Sequence, residues 1–224
     1  MSKGRIDAVL FIVRGETRSE KVQALQEILE TSEALRKCIT YFSIHLSGTA
    51  TDLDDGDVGW KLQDENLPSI INMWTEIREL DIRCGNPNAF EWGRLSDRVK
   101  TALWNTRFTS PHLSVLSLHG ISISPYDLAF AWKSIKVITL GDVKMNTGEG
   151  TSKNASIFEY RLEKVKISGG KFPLHQNSQI LGGLRQFWAD SFRICPYSIR
   201  QTWNVIHIAS KSLEDLSLTT CFGE

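Results

Sequence analysis

The chain has 224 residues, and 26 Lys+Arg balance 26 Asp+Glu, so its formal net charge is zero. That balance argues against a nucleic-acid binder, which shows a basic excess, and no polyacidic or polybasic tail is present. A hydrophobic share of 41% with 10 Phe, 7 Trp and 4 Tyr argues against disorder, and the length suits one domain, residues 1–224, with a core that needs no disulfide or metal staple.

The first apolar run, Ala8–Val13, follows Lys3 and Arg5 but is too short for a signal-peptide core or a membrane span. Ile6 just before it, with Val9 and Phe11 within it, reads as a weak strand. Thr17-Arg-Ser-Glu20 is a capping box, and Val22, Leu25, Ile28 and Leu29 behind it recur with helical period. A strand with Ile39, Phe42 and Ile44 follows, then an acidic, Gly-bearing loop over Thr51–Gly59. Leu67, Ile70, Ile71 and Trp74 form a second helical stripe, with Pro68 in its first turn. The next strand carries Ile77, Leu80 and Ile82, and Leu95, Val99, Ala102 and Leu103 form the next stripe. A strand with Leu113, Leu116, Leu118 and Ile121 leads to Ser124-Pro125-Tyr126-Asp127, which reads as cap, first-turn Pro and acidic third position. Strands with Ile135, Ile138, Leu140 and Val143, with Leu162, Val165 and Ile167, and with Leu184, Phe187, Ala189 and Phe192 come next. A flexible loop, Asn146–Asn154, separates the first two. Ile199, Trp203 and Ile206 make the last stripe after Pro196.

The last strand is the most informative. Leu213, Leu216, Leu218 and Cys221 fit the leucine-rich template LxxLxLxxC at all four fixed positions. The strands above are weaker copies; with this one, the seven better copies start at residues 39, 77, 113, 135, 162, 184 and 213. Their spacing falls near the repeat range of about 20–29 residues except at the two longest gaps, which need an inserted helix. The expected fold is therefore α/β: an irregular leucine-rich-repeat-like solenoid of about seven repeats. Short parallel strands line its concave side and helices its convex side. In each unit the fourth and sixth positions point inward by strand alternation, and no unit buries its apolar face without a neighbour. An ordinary α/β domain is the competing reading.

Local chemistry is sparse. Cys38, Cys84, Cys195 and Cys221 form no CxxC, which favours reduced thiols and an intracellular, cytoplasmic or nuclear location. The sequon Asn154-Ala155-Ser156 matters only in a secreted chain. The acidic loop fails the calcium-loop pattern at Thr51 and Leu53. Gly148–Lys153 and Ser168–Lys171 lack the spacing of a phosphate-binding loop. His45, His112, His119, His175 and His207 form no metal-spaced pair, and no GxSxG elbow exists. No catalytic residue, metal site or cofactor is expected.

What remains is a surface. The third, fifth and seventh template positions face the concave side, among them Asp81, Arg83, His119, Lys164, Lys166, Trp188 and Asp190. They are the candidate partner-binding residues, with Trp188 as the anchor. The expected function is non-enzymatic protein–protein interaction with an unknown protein partner, and neither nucleic acid nor membrane is expected as a partner. A small enzyme with a spatially assembled site, or a decayed paralogue without a partner, are the alternatives.

The segments FIVRGETRSEKVQALQEILETSEALRKCITYFSI, IRELDIRC and TALWNTRFTSPHLSVLSLHGISISP resemble the region after the F-box in mushroom-type fungal F-box/leucine-rich-repeat-like proteins. The resemblance is degenerate and covers most of the chain. It implies the substrate-recognition part of a ubiquitin-ligase receptor. Nothing in residues 1–40 looks like the F-box itself, and the one Leu-Pro pair, Leu67-Pro68, lies inside the repeats. Either the chain lacks the box or its start is truncated, which counts against binding of the ligase adaptor.

Overall fold

The computed structural model describes residues 6–12, 18–46, 66–84, 91–124, 134–145, 162–169, 181–192 and 196–220. The candidate cap Thr17, the helix expected after Ser124, both loops, Cys195 and Cys221 lie outside these ranges. The described chain is α/β. Its strands are β1 (Ile6–Ile12), β2 (Ile39–Leu46), β3 (Glu79–Cys84), β4 (Val115–His119), β5 (Ser122–Ile123), β6 (Val137–Gly141), β7 (Lys144–Met145), β8 (Lys164–Ser168), β9 (Gln186–Phe192) and β10 (Asp215–Thr220). Its helices are α1 (Arg18–Thr31), α2 (Glu33–Cys38), α3 (Asn66–Asn72), α4 (Asp97–Thr109) and α5 (Pro196–Ala209).

Eight strands form one sheet in the order β1-β2-β3-β4-β6-β8-β9-β10, and every described pair is parallel. Strand order is chain order, and β5 and β7 form a separate two-stranded ladder beside it. The sequence copies coincide with the ladder. Phe42, Leu80, Leu116, Ile138, Val165, Phe187 and Leu216, all at the fourth template position, pair across successive strands. Those from Phe42 to Phe187 are buried, as are Ile44, Ile82, Leu118, Leu140 and Ala189 at the sixth position. Each large aliphatic side chain withdrawn from water contributes about 1.5–3 kcal/mol. Helix residues close this face: Val22 and Leu29 from α1, Leu67, Ile70 and Ile71 from α3, and Val99, Ala102 and Leu103 from α4 share the same core.

Two backbone devices recur with the repeat. The carbonyl at the second template position accepts two N–H groups from the next copy. Arg78 serves Ser114 and Val115, Ser114 serves Lys136 and Val137, Lys136 serves Glu163 and Lys164, Glu163 serves Arg185 and Gln186, and Arg185 serves Glu214 and Asp215. The eighth position is left-handed in three consecutive copies: Gly120 (φ 64°), Asp142 (φ 49°) and Gly169 (φ 68°). Their N–H groups bond the carbonyls of Gly141, Ser168 and Asp190, so the ladder continues around the bend. The bend sends Ile121 and Val143 inward at the ninth position.

Helix starts follow ordinary capping. Ser96 Oγ accepts from the Val99 N–H at 3.3 Å to open α4, and Ser32 Oγ accepts from the Leu35 N–H to open α2. Trp74 lies just past the end of α3 yet is fully buried, its ring 3.6 Å from that of Phe42, and the Ser110 hydroxyl donates to its carbonyl.

Four expectations need correction. The first copy is out of step: a register shift after Ile6 pairs Ala8 with Phe42 and Leu10 with Ile44, in place of Val9 and Phe11. Ile28 is exposed on α1. On α5 the buried positions are Thr202, Val205 and Ala209, while Ile199 and Trp203 are 50% and 66% exposed. The best-matching sequence copy forms the last strand, where Leu216 and Leu218 remain 44% and 49% exposed, β10 ending the strand order of the sheet among the described residues. No helix among the described residues is long and apolar enough to cross a membrane.

Candidate functional site

Because the strands are in register, alternate residues make continuous rows on the face opposite the helices. One row runs Tyr41, Glu79, Val115, Val137, Lys164, Gln186 and Asp215. The next runs Ser43, Asp81, Ser117, Thr139, Lys166, Trp188 and Ser217, and the third runs His45, Arg83, His119, Gly141, Ser168 and Asp190. All seven candidate residues fall on this face. They gather into two groups, four ladder steps or roughly 19 Å apart.

The first group centres on Asp81. Expected at the surface, its side chain is buried, with the residue 1% exposed. One carboxylate oxygen, Oδ2, accepts from Arg83 Nε at 2.7 Å, from the Tyr41 hydroxyl at 3.1 Å and from the Ser43 hydroxyl at 3.3 Å. Oδ1 is buried without a hydrogen-bond partner. Asp81 is thus the post against which Tyr41 and Arg83 are set, and the half-exposed Arg83 is what a partner could reach. Burial is also the main reason the Tyr41 hydroxyl titrates above its ordinary range.

His119 stands beside them on β4 and is half-buried. Its ring lies against Gly141 on the neighbouring strand. A Cβ at Gly141 would sit 2.1 Å from His119 Nδ1, so only glycine leaves the space. Burial lowers the His119 pKa from its ordinary value; Asp81 and Asp142 pull it up, and Arg83 and Lys166 push it down.

The second group spans β8 to β10. Lys164 Nζ lies 3.7 Å from the centre of the Trp188 ring, a cation–π contact. Trp188 Nε1 donates to Asp215 Oδ2 at 3.2 Å, and Lys166 pairs with Asp190 at 3.5 Å. Trp188 is half-buried, held flat by these polar neighbours rather than packed in the core. Asp215, at the third template position of the last copy and so on the same face, belongs to this cluster, although it was not among the candidate partner-binding residues. The template puts Gly141 on this face but gives no sign of its packing role, nor of Asp142's; both come from the next strand over.

A cleft of about 440 Å³ lies elsewhere, between α3 and α4, lined by Ser69, Asn72, Asp97, Arg98 and Asn105 among others. Among the described residues, no group of three or more His, Cys, Asp or Glu side chains is placed to hold a metal ion. Cys38 is an exposed free thiol. No family model, curated protein or solved structure matches the chain.

Proposed function

We propose that the chain is a leucine-rich-repeat-like solenoid whose open sheet face binds a protein partner without catalysis. The observation that supports this reading is the in-register set of three side-chain rows, which offers an extended polar surface with Trp188 near one end and Arg83 near the other. Opposite charges are paired within each group, so the surface suits a mosaic protein partner better than a uniformly charged one such as nucleic acid. The role as the substrate-recognition part of a ubiquitin-ligase receptor rests on the sequence resemblance alone. Adaptor binding forms no part of the proposal. Cysteine usage supports a reducing compartment, the cytoplasm or nucleus, as part of this reading.

Affinity capture with cross-linking mass spectrometry tests the reading. Wild-type protein should retain a defined partner with cross-links on Lys164 and Lys166. Trp188→Ala should lose most of it while costing only about 1 kcal/mol in stability. Equal capture by wild type and Trp188→Ala, or cross-links confined to the helices, would count against the open face. The small-enzyme alternative has one observation in its favour: His119 is half-buried, with Asp81 and Asp142 close enough to act on its charge. Turnover abolished by His119→Gln would establish it.

A further inference from the structure

We propose that Arg83 and His119 together seat one carboxylate, the side chain of an Asp or Glu on the protein partner. The nature of that occupant rests on the protein-binding reading above, whereas the seat rests on geometry alone.

Arg83 is gripped at one corner only. Its Nε donates to the buried Asp81 at 2.7 Å, while the other oxygen of Asp81 has no hydrogen-bond partner. The pair is therefore single-pointed, not the two-bond fork that Arg and carboxylate commonly make. Nη1 and Nη2 have no partner among the described residues, and half of the side chain is open to solvent. The guanidinium is thus oriented from below by one carboxylate while its remaining N–H groups stay unused. A second, planar carboxylate matches that free edge with two parallel N–H bonds.

The register adds a donor beside it. His45 and His119 flank Arg83 in the same row, each one ladder step or roughly 4.8 Å away. His119 is half-buried, and no described residue hydrogen-bonds its ring. Beyond it the row holds Gly141 and Ser168, so among the described residues no long strand side chain covers the seat from that side. An oxyanion lying along the guanidinium edge can take N–H bonds from Arg83 and His119 at once.

The surrounding charges select the kind of anion. Asp81 and Asp142 oppose Arg83 and Lys166 around His119, and Lys166 is shared with Asp190. Three carboxylates would repel a dianion such as phosphate. A monoanion is balanced by a single proton, and His119 is placed to take it up. Binding should therefore raise the His119 pKa, and by linkage acetate should bind more tightly as pH falls through the ordinary histidine range.

Nuclear magnetic resonance of the full chain tests this, with acetate exchanged for chloride at constant ionic strength. The His119 ring signal, assigned by its loss in His119→Gln, should shift saturably and titrate at higher pH with acetate present. Arg83→Lys keeps the charge but loses the planar fork, and should weaken acetate by about tenfold or more with unchanged circular dichroism. Equal responses to acetate and chloride would overturn the seat, a result that needs no folded variant. So would undiminished acetate binding in Arg83→Lys, and inorganic phosphate binding more tightly than acetate would overturn the carboxylate assignment. A partner retained equally by wild type and Arg83→Lys would remove that partner's carboxylate from the seat. An acetate response without any captured protein would count against the protein-binding reading and leave the seat standing.

Discussion

Asp81 shows how a buried charge orders a surface it does not itself reach. Three donors converge on one of its oxygens, fixing Tyr41 and Arg83 in place. Such preorganisation reduces the side-chain entropy lost when a partner arrives. His119 carries the pH response of the same corner. Its folded pKa lies below the ordinary 6.5 because burial disfavours the imidazolium. The unfolded chain therefore takes up a proton that the folded chain resists. The stability linked to His119 is complete above the ordinary value and is lost as pH falls through the lowered one. Thermal melts should show a drop as pH falls below the ordinary 6.5, and the drop should be smaller in His119→Gln. Identical pH profiles would assign the acid sensitivity to other groups.

Among the elements, the left-handed bend after β4, β6 and β8 is the most specific device. At Gly120 a Cβ would sit 2.1 Å from the Cys84 carbonyl oxygen, a backbone atom with nowhere to go. Gly120→Ala should therefore cost more than about 1 kcal/mol and lower the melting temperature by about 3 °C or more. Asp142 adopts the same conformation with a side chain, so Asp142→Gly should raise stability by up to about 1 kcal/mol. Differential scanning calorimetry on both variants checks the opposed signs. Seven strands of the main sheet, β2 through β10, were legible in the sequence because their first, fourth and sixth template positions carry apolar residues. The α5 face was not. Ile199, Trp203 and Ile206 keep helical period, but periodicity records which residues share a side, not which side meets the sheet. Trp188 and Asp190 were legible as surface residues by alternation. The burial of Asp81 was not, since it comes from Tyr41 and Arg83 folding over it from a neighbouring strand and from two residues along.

Taken whole, the sheet joins each strand only to its neighbours in sequence, so stability should be graded from the middle outward. Native-state hydrogen exchange at concentrations where the chain is single should find β3, β4, β6 and β8 most protected and β10 among the first to open. Uniform protection would point to one all-or-none unit. The charge balance also has a spatial form. At the second template position Lys136 pairs with Glu163 at 3.3 Å and Arg185 with Glu214 at 3.8 Å. Each pair is exposed and worth less than about 1 kcal/mol, but together they make neutrality local as well as global.

The shared second-position carbonyl, accepting from two amides of the following strand, gives the chain something like a ratchet for length. The connections between strands vary widely, yet each rejoins the ladder at the same tooth. A tandem duplication of one whole unit, such as residues 113–134, would re-engage without disturbing the registers on either side. Inserting a single residue within a strand would turn every side chain beyond it to the wrong face. On the solenoid reading proposed above, growth or loss by whole units would keep the three surface rows aligned.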